Sequence, residues 1–504
     1  MHPSFFTPRS LSVLGLSLGL LASCSKEDIQ LKDAAPQSAV LSNAAAAADA
    51  GSVVRRGNQY IIISSTDALP ADLAAQTQAA NGTLTDQLPG TGLALATSTD
   101  PNFAAKAGRI SGVRSVIHDF SFQGFNPASD RNLEAVAEAE NTNPASAGDN
   151  ERFFPLQWGH TAIQAPAAWN AGARGAGALV AVLDGGFDLT HPDLQPNIVG
   201  SRSFVPGEPA QFGLTSFSHG SHTAGTIAAA DNGLGVIGVA PDAKLLLVKV
   251  LRDAGSGSFS WMIQGIYYAV EQKADVINMS LGAAIPRNSK FRDDNGTPDD
   301  TSDDKWVNET KEIQELLVAI SKATTYATQH GATVIASSGN DANNGQRDQD
   351  LVHIPSGATN VISISATAPT GWALNPFGTN LDGVASYTNY GISDVTFAAP
   401  GGDAMYPGLD ISTVAGVRQY TYAFDMVFSC TSLGRYTWSA GTSMAGPHAA
   451  GVAALIVGKN GGQMDPSQVR ATMRASADDL GKPGRDAYYG YGRVNALRAV
   501  TQAQ

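Results

Sequence analysis

From Arg152 onward, short apolar runs alternate with segments of helical spacing, and this alternation constrains the fold more than any other feature. The runs Leu179 to Leu183, Leu245 to Val250, Val276 to Met279, Thr333 to Ala336 and Val361 to Ser365 carry almost no polar positions. Strands that read this way are covered on both faces, which is the situation in a parallel sheet between helical layers. Helical spacing over Phe259 to Gln272 and Lys311 to Gln329 supplies such layers. The expected fold is therefore α/β, with three layers and a parallel sheet. Functional residues in such sheets gather at the carboxyl ends of the strands.

The 504 residues leave room for more than this one domain. His2 to Arg9 is weakly basic and leads into the apolar run Leu11 to Ala22, too short to span a membrane but suited to the core of a signal peptide. The run ends in Leu21-Ala22-Ser23-Cys24, which resembles a bacterial lipobox. That resemblance implies removal of residues 1–23, a lipid on Cys24, and export to the cell envelope at the outer membrane or cell surface. Residues 24–51 are rich in Ala, Ser and Asp and suit a flexible tether.

Residues 52–120 carry strand-like runs at Gln59 to Ile63, Leu93 to Thr97 and Val113 to Ile117, with helix-like stretches at Ala71 to Ala80 and Asn102 to Ile110. This order predicts a small α+β unit of split βαβ type. Residues 121–151 hold few apolar positions and read as a linker, and 152–504 as one large domain. The net charge of −13 argues against nucleic acid as a partner, because binding phosphates needs clustered Lys and Arg. Two cysteines, Cys24 and Cys430, make no disulfide framework. Gly233 to Gly238 matches G-x-G-x-x-G, but it follows a helix and enters a strand, the reverse of a dinucleotide site.

Four short strings carry the chemistry. In Ala-Gly-Thr-Ser-Met-Ala-Gly-Pro-His (440–448), Ser443 opens a helix of small residues, where backbone N–H groups lack internal partners. Asp184 ends an apolar strand in Ala-Val-Leu-Asp-Gly-Gly (181–186). His219 opens a second small-residue helix in Ser-His-Gly-Ser-His-Thr-Ala-Gly (218–225). Asn340 follows the run Thr333 to Ser338 and Gly339. Nucleophilic serine catalysis needs a base, an acid that orients the base, and donors for an oxyanion; His219, Asp184 and Asn340 are candidates for those parts. Singly, each string also suits a cap or a turn.

Together these strings resemble the subtilisin-like serine peptidases, or subtilases, over about residues 152–500. Gln157-Trp158-Gly159 and His191-Pro192-Asp193-Leu194 extend the likeness. The resemblance implies a serine endopeptidase acting on proteins or peptides, needing no cofactor for its chemistry. It implies that Ser280, Leu281 and Gly282 form a substrate-binding strand that pairs with an extended peptide and walls the primary pocket. Residues 52–120 resemble the family's inhibitory propeptide, which implies a self-processed precursor with its own propeptide as partner. Ala230 to Val236 resembles the family's calcium loop, which implies structural calcium with Asp193 and Asn232 among its ligands. His222 is expected to be structural.

The sequence also departs from the family. Gly185 stands where the family carries Ser or Thr, so a hydroxyl that could hold Asp184 is missing; that favours the alternative of a catalytically weak or inactive peptide-binding surface lipoprotein. After Gly282 comes an insertion holding Asp293, Asp294, Asp299, Asp300, Asp303 and Asp304. It is expected near the cleft, as a cation site, a selector of basic substrates or a solvated loop.

Overall fold

The computed structural model describes residues 53–125 and 150–502, apart from 289 and 299, together with the backbone of the short strand Arg131–Asn132. The signal, the tether and Cys24 lie outside the described residues.

The N-terminal unit runs β1 (Val53–Ser64), α1 (Leu73–Ala79), β2 (Thr83–Leu88), β3 (Leu93–Thr97), α2 (Phe103–Ala107) and β4 (Val113–Gln123). β1 lies between β3 and β4, antiparallel to both, and β2 flanks β3, as expected for a split βαβ unit. β2 was not anticipated, because four of its six residues are polar and only Leu88 is buried. β4 runs on through Gln123, into the stretch expected to be linker.

The larger part continues, in chain order, with β5 (Leu179–Asp184), β6 (Ile198–Ser203), α3 (His219–Ala228), β7 (Lys244–Lys249), β8 (Ser256–Ser258), α4 (Phe259–Glu271), β9 (Val276–Met279), β10 (Lys290–Asp293), β11 (Lys305–Asn308), α5 (Thr310–Gln329), β12 (Thr333–Ser337), β13 (Val361–Ala368), β14 (Gly383–Val384), β15 (Phe397–Pro400) and α6 (Thr442–Lys459). The central sheet has the order β14-β13-β12-β9-β5-β7-β6, with β15 also on β13, and every pairing is parallel except β13 with β14. This is the three-layer α/β fold expected.

Alternation along β5 shows why both faces are apolar. Val180 and Val182 face a core shared with α3 and α6, while Ala181 and Leu183 face a core shared with α4 and α5. α6 is buried nearly all round, which its small residues permit. A Cβ on Gly451 would come within 2.5 Å of Val239.

The N-terminal sheet divides the same way. Tyr60 and Ile62 pack with Leu73 and Phe103 of its own helices. Ile61, Ile63, Phe120 and Phe122 join the core formed by α4 and α5. Packing on those helices is what buries the second face of this small sheet.

Candidate active site

β5 delivers Asp184 to its carboxyl end, fully buried. The carboxylate meets His219 Nδ1 at 2.8 Å from Oδ1 and 3.0 Å from Oδ2. The Gly185 N–H donates to Oδ1 at 2.6 Å. The hydroxyl absent at position 185 is supplied from elsewhere: Thr223 Oγ1 lies 3.1 Å from Asp184 Oδ2, and shares its proton with the Gly220 carbonyl at 3.0 Å. His219 sits at the start of α3, capped by Ser218, whose Oγ accepts from the Ser221 N–H. His222, one turn on, is buried with Nε2 3.2 Å from the Val427 carbonyl oxygen. Burial first, then the neighbouring His219, pushes its pKa down to about 3, so it stays neutral and structural.

Thr223→Val should lower kcat/KM by about tenfold, the size of one hydrogen bond to a charged group. Steady-state kinetics on the purified enzyme checks this, and an unchanged kcat/KM would show that the Gly185 N–H suffices.

Ser443 is the second residue of α6. Pro447 has no N–H to give the Ser443 carbonyl, the acceptor four residues back. Ser280 Oγ fills that vacancy, donating to the Ser443 carbonyl at 2.8 Å, and Ser443 Oγ donates in turn to the Ser280 carbonyl at 3.2 Å. Beyond β12, Asn340 Oδ1 accepts from the Thr442 N–H at 2.9 Å and from Thr442 Oγ1 at 2.7 Å. Those two bonds fix the amide and turn Nδ2 away from Thr442. A Cβ built on Gly441 would lie 3.5 Å from Asn340 Nδ2 and 3.6 Å from the Ser443 backbone nitrogen, so the two donors flank one space that this glycine keeps clear.

Ser443 and Asn340 share a cavity of about 260 Å³ with Leu281 and Gly282, and with His353 and Ser356 opposite. Burial pushes the His353 imidazole down, so it is a neutral wall. Leu281 and Gly282 line the pocket beside Ser443, and Ser280 lies behind them, bonded to Ser443. The strand that pairs with an extended segment of this chain is another one, β8, which sequence reasoning missed because Ser-Gly-Ser carries no apolar signal. Ser121, Phe122 and Gln123 run antiparallel to Ser258, Gly257 and Ser256. The Gly124 N–H continues the ladder to the Gly255 carbonyl at 2.9 Å. Phe125 then stacks on His219, with ring centroids 4.3 Å apart and an interplanar angle of 8°. A Cβ on Gly185 would lie 3.3 Å from the Phe125 ring, so the bare position makes room for that ring. Farther on, Arg131 and Asn132 pair with Ala440 and Ser439, just before Ser443.

Asp193 and Asn232, the expected metal ligands, meet at one loop. Asp193 is buried, but Oδ2 accepts the Val236 N–H at 2.9 Å and Oδ1 faces the Asn232 amide nitrogen at 3.4 Å. Asn232 Oδ1 accepts from the Leu234 N–H at 3.0 Å. The loop folds over Asp193, with the Asn232 amide nitrogen and the Val236 N–H directed at its carboxylate. His191 and the buried Cys430 lie close to Asp193, but the His191 ring is committed: Nδ1 accepts the Asp193 N–H and Nε2 faces the Arg435 carbonyl oxygen. Glu151, which the sequence did not single out, lies at the same loop, with Oε1 3.4 Å from the Gly233 nitrogen. It is fully buried beside this loop, and burial followed by Asp231 pushes its pKa up to about 8.

The insertion enters along the cleft, where Ala283 and Ala284 line the pocket, but its acidic hairpin lies elsewhere. Its strand β10 pairs with the N-terminal unit along β1.

Comparison with known proteins agrees with this geometry. The Subtilase family model matches residues 175–492. An intracellular serine protease of Paenibacillus polymyxa is 39% identical over 297 residues, covering 58% of this chain and 70% of that protein. Subtilisin Savinase of Lederbergia lenta is 36% identical over 347 residues, covering 68% of this chain and 98% of that protein. Among solved structures, an epidermin leader peptide processing serine protease from Staphylococcus aureus superposes with a TM-score of 0.64 at 19% identity, covering 88% of this chain and 99% of that one.

Proposed function

The chain belongs to the subtilase family and is a serine-type endopeptidase, and from that premise we propose that it is made as a self-processed precursor whose N-terminal unit fills its own active site. The observation that carries this reading is the course of the chain itself. Residues 121–123 pair with β8, Phe125 lies on His219, and Arg131–Asn132 pair with Ala440 and Ser439, so the described stretches of this segment lie against the base on one side and the nucleophile's strand on the other. Asp119 supports the docking. It is buried at the start of α4, where Ser258 Oγ bonds Oδ2, Ser260 Oγ donates to Oδ2 at 2.7 Å, and the Ser260 N–H donates to Oδ1 at 3.1 Å. Phe122 stacks on Phe259 of the same helix at 4.4 Å.

In the mechanism, Asp184 holds His219 in the tautomer with Nδ1 protonated and stabilises the imidazolium that forms. His219 takes the Ser443 proton as Oγ leaves the Ser280 carbonyl and attacks the scissile carbonyl. Asn340 Nδ2 and the Ser443 N–H receive the oxyanion. His219 then gives the proton to the leaving amine, and water releases the acyl group. The cut in the precursor falls between Phe125 and Arg131. Residues 1–24 support export and a lipid anchor at Cys24, with proteins or peptides outside the cell as substrates. Labelling with a palmitate analogue in an exporting host tests the anchor, and a Cys24→Ser chain that still takes up label would sink it.

Calcium at the 230–236 loop completes the reading, with Asp193, Asn232 and the neighbouring Glu151 as its ligands and no part in the chemistry, while Asp231 is held by Arg174 at 2.6 Å. A carboxyl held up to about 8 binds a proton in the folded state that the unfolded state has lost, so without a cation stability falls as pH rises from about 4.5 to about 8. Tm in EDTA should drop across that window, calcium should restore it at the alkaline end, and Glu151→Gln should flatten both effects. A Tm indifferent to chelation and to pH would remove calcium from this site.

A further inference from the structure

The acidic insertion forms a β-hairpin, with Lys290, Phe291, Arg292 and Asp293 opposite Asn308, Val307, Trp306 and Lys305. β10 runs parallel to β1 along the same edge that β3 occupies farther on, with Val54 opposite Arg292 and Arg55 opposite Asp293. The N-terminal sheet thus ends in two strands from the peptidase part.

Charge keys this pairing. Arg55 is clasped between Asp293, at 2.5 Å, and Glu309, and Arg56 Nε lies 3.0 Å from Asp294. Asp294 Oδ1 also accepts the Gly57 N–H at 2.7 Å. The acids are largely buried here, with side chains of Asp293 and Asp294 8% and 6% exposed. Backbone approach is close: a Cβ on Gly57 would lie 2.5 Å from the Gly296 nitrogen. Phe291, buried in the same contact, meets Phe120 of β4 edge to face at 5.9 Å. The same polarity continues along α5, where Glu312 faces His118 and Glu315 faces Arg114.

We propose that the insertion is a second docking site, apart from the cleft, whose ligand is an extended strand carrying two consecutive arginines, and that in this protein the ligand is Val54-Arg55-Arg56-Gly57 of its own N-terminal unit. Main-chain pairing supplies binding and the acids supply selectivity. The reading rests on the self-processed precursor: after the cut, the cleft holds only a chain end, and the insertion retains the severed unit by a linked second contact. Latency therefore outlasts cleavage.

The test uses the full-length chain in two backgrounds. In the Ser443→Ala chain, hydrogen exchange at residues 290–294 reads docking whether or not the protein cuts itself. In the active chain, the delay between cleavage and the onset of peptide hydrolysis reads retention. Arg55→Asp with Arg56→Asp should deprotect 290–294 and shorten the delay by about tenfold or more, the size of a lost buried charge pair. Adding Asp293→Arg and Asp294→Arg should restore both. Gly57→Val, which changes no charge, should act like the arginine variants and covers the case in which they misfold. Unchanged exchange and delay in these variants, or no recovery in the combined swap, overturns the proposal. A wild-type chain that never cuts itself would sink the self-processing reading, while exchange at 290–294 still decides the docking site.

Discussion

Full-length Ser443→Ala should remain one uncut polypeptide, whereas the wild type should separate between Phe125 and Arg131. Peptide hydrolysis should fall by roughly 10⁶-fold, the scale on which removing this nucleophile acts in related subtilisins, where the triad works as a unit. The fold should survive the change. Ser443 Oγ makes one hydrogen bond, at 3.2 Å to the Ser280 carbonyl, while the carbonyl of residue 443, which Ser280 Oγ serves, is unaltered. Mass spectrometry of the purified chains reads the cut, and the new N-terminus should fall at residues 126–131. A Ser443→Ala chain cleaved at the same bond in a protease-deficient host would make processing the work of another enzyme.

Asn340→Leu should reduce kcat by about 10² to 10³-fold with little change in KM, because an oxyanion donor acts on charge that exists only at the transition state. The Thr442 N–H and hydroxyl lose their acceptor in this variant, so Asn340→Asp is the companion. It retains an oxygen for Thr442 and replaces the donor with an acceptor. Both variants should lose kcat. If Asn340→Asp kept wild-type kcat, the donor role would be wrong and the Ser443 N–H would act alone.

Much of this site was legible because its parts are local. Asp184 is announced by an apolar run ending at a glycine turn, and Ser443 and His219 by small-residue helices that must pack closely against the sheet. The strands Val276–Met279 and Leu93–Thr97 carry their own burial pattern and fall where that pattern ends. Illegible features depend on partners distant in sequence. The 121–125 segment looks like linker because its ladder partner, Ser256–Ser258, has no apolar face of its own. Gly185 looked like a defect because Thr223 reaches Asp184 from a helix far along the chain.

The sequence by itself determined the layered fold, the order of acid, base and nucleophile, and the presence of a small unit ahead of them, since apolar period and turn chemistry act over a few residues. What that unit and the acidic insertion do to each other depends on contacts between distant stretches of the chain. Arg55, Arg56, Asp293 and Asp294 are ordinary surface charges in the linear chain. They become one buried contact only where two sheet edges meet, and register between distant strands is set by the packing of the whole molecule, here of Phe120 and Phe291 over α4 and α5.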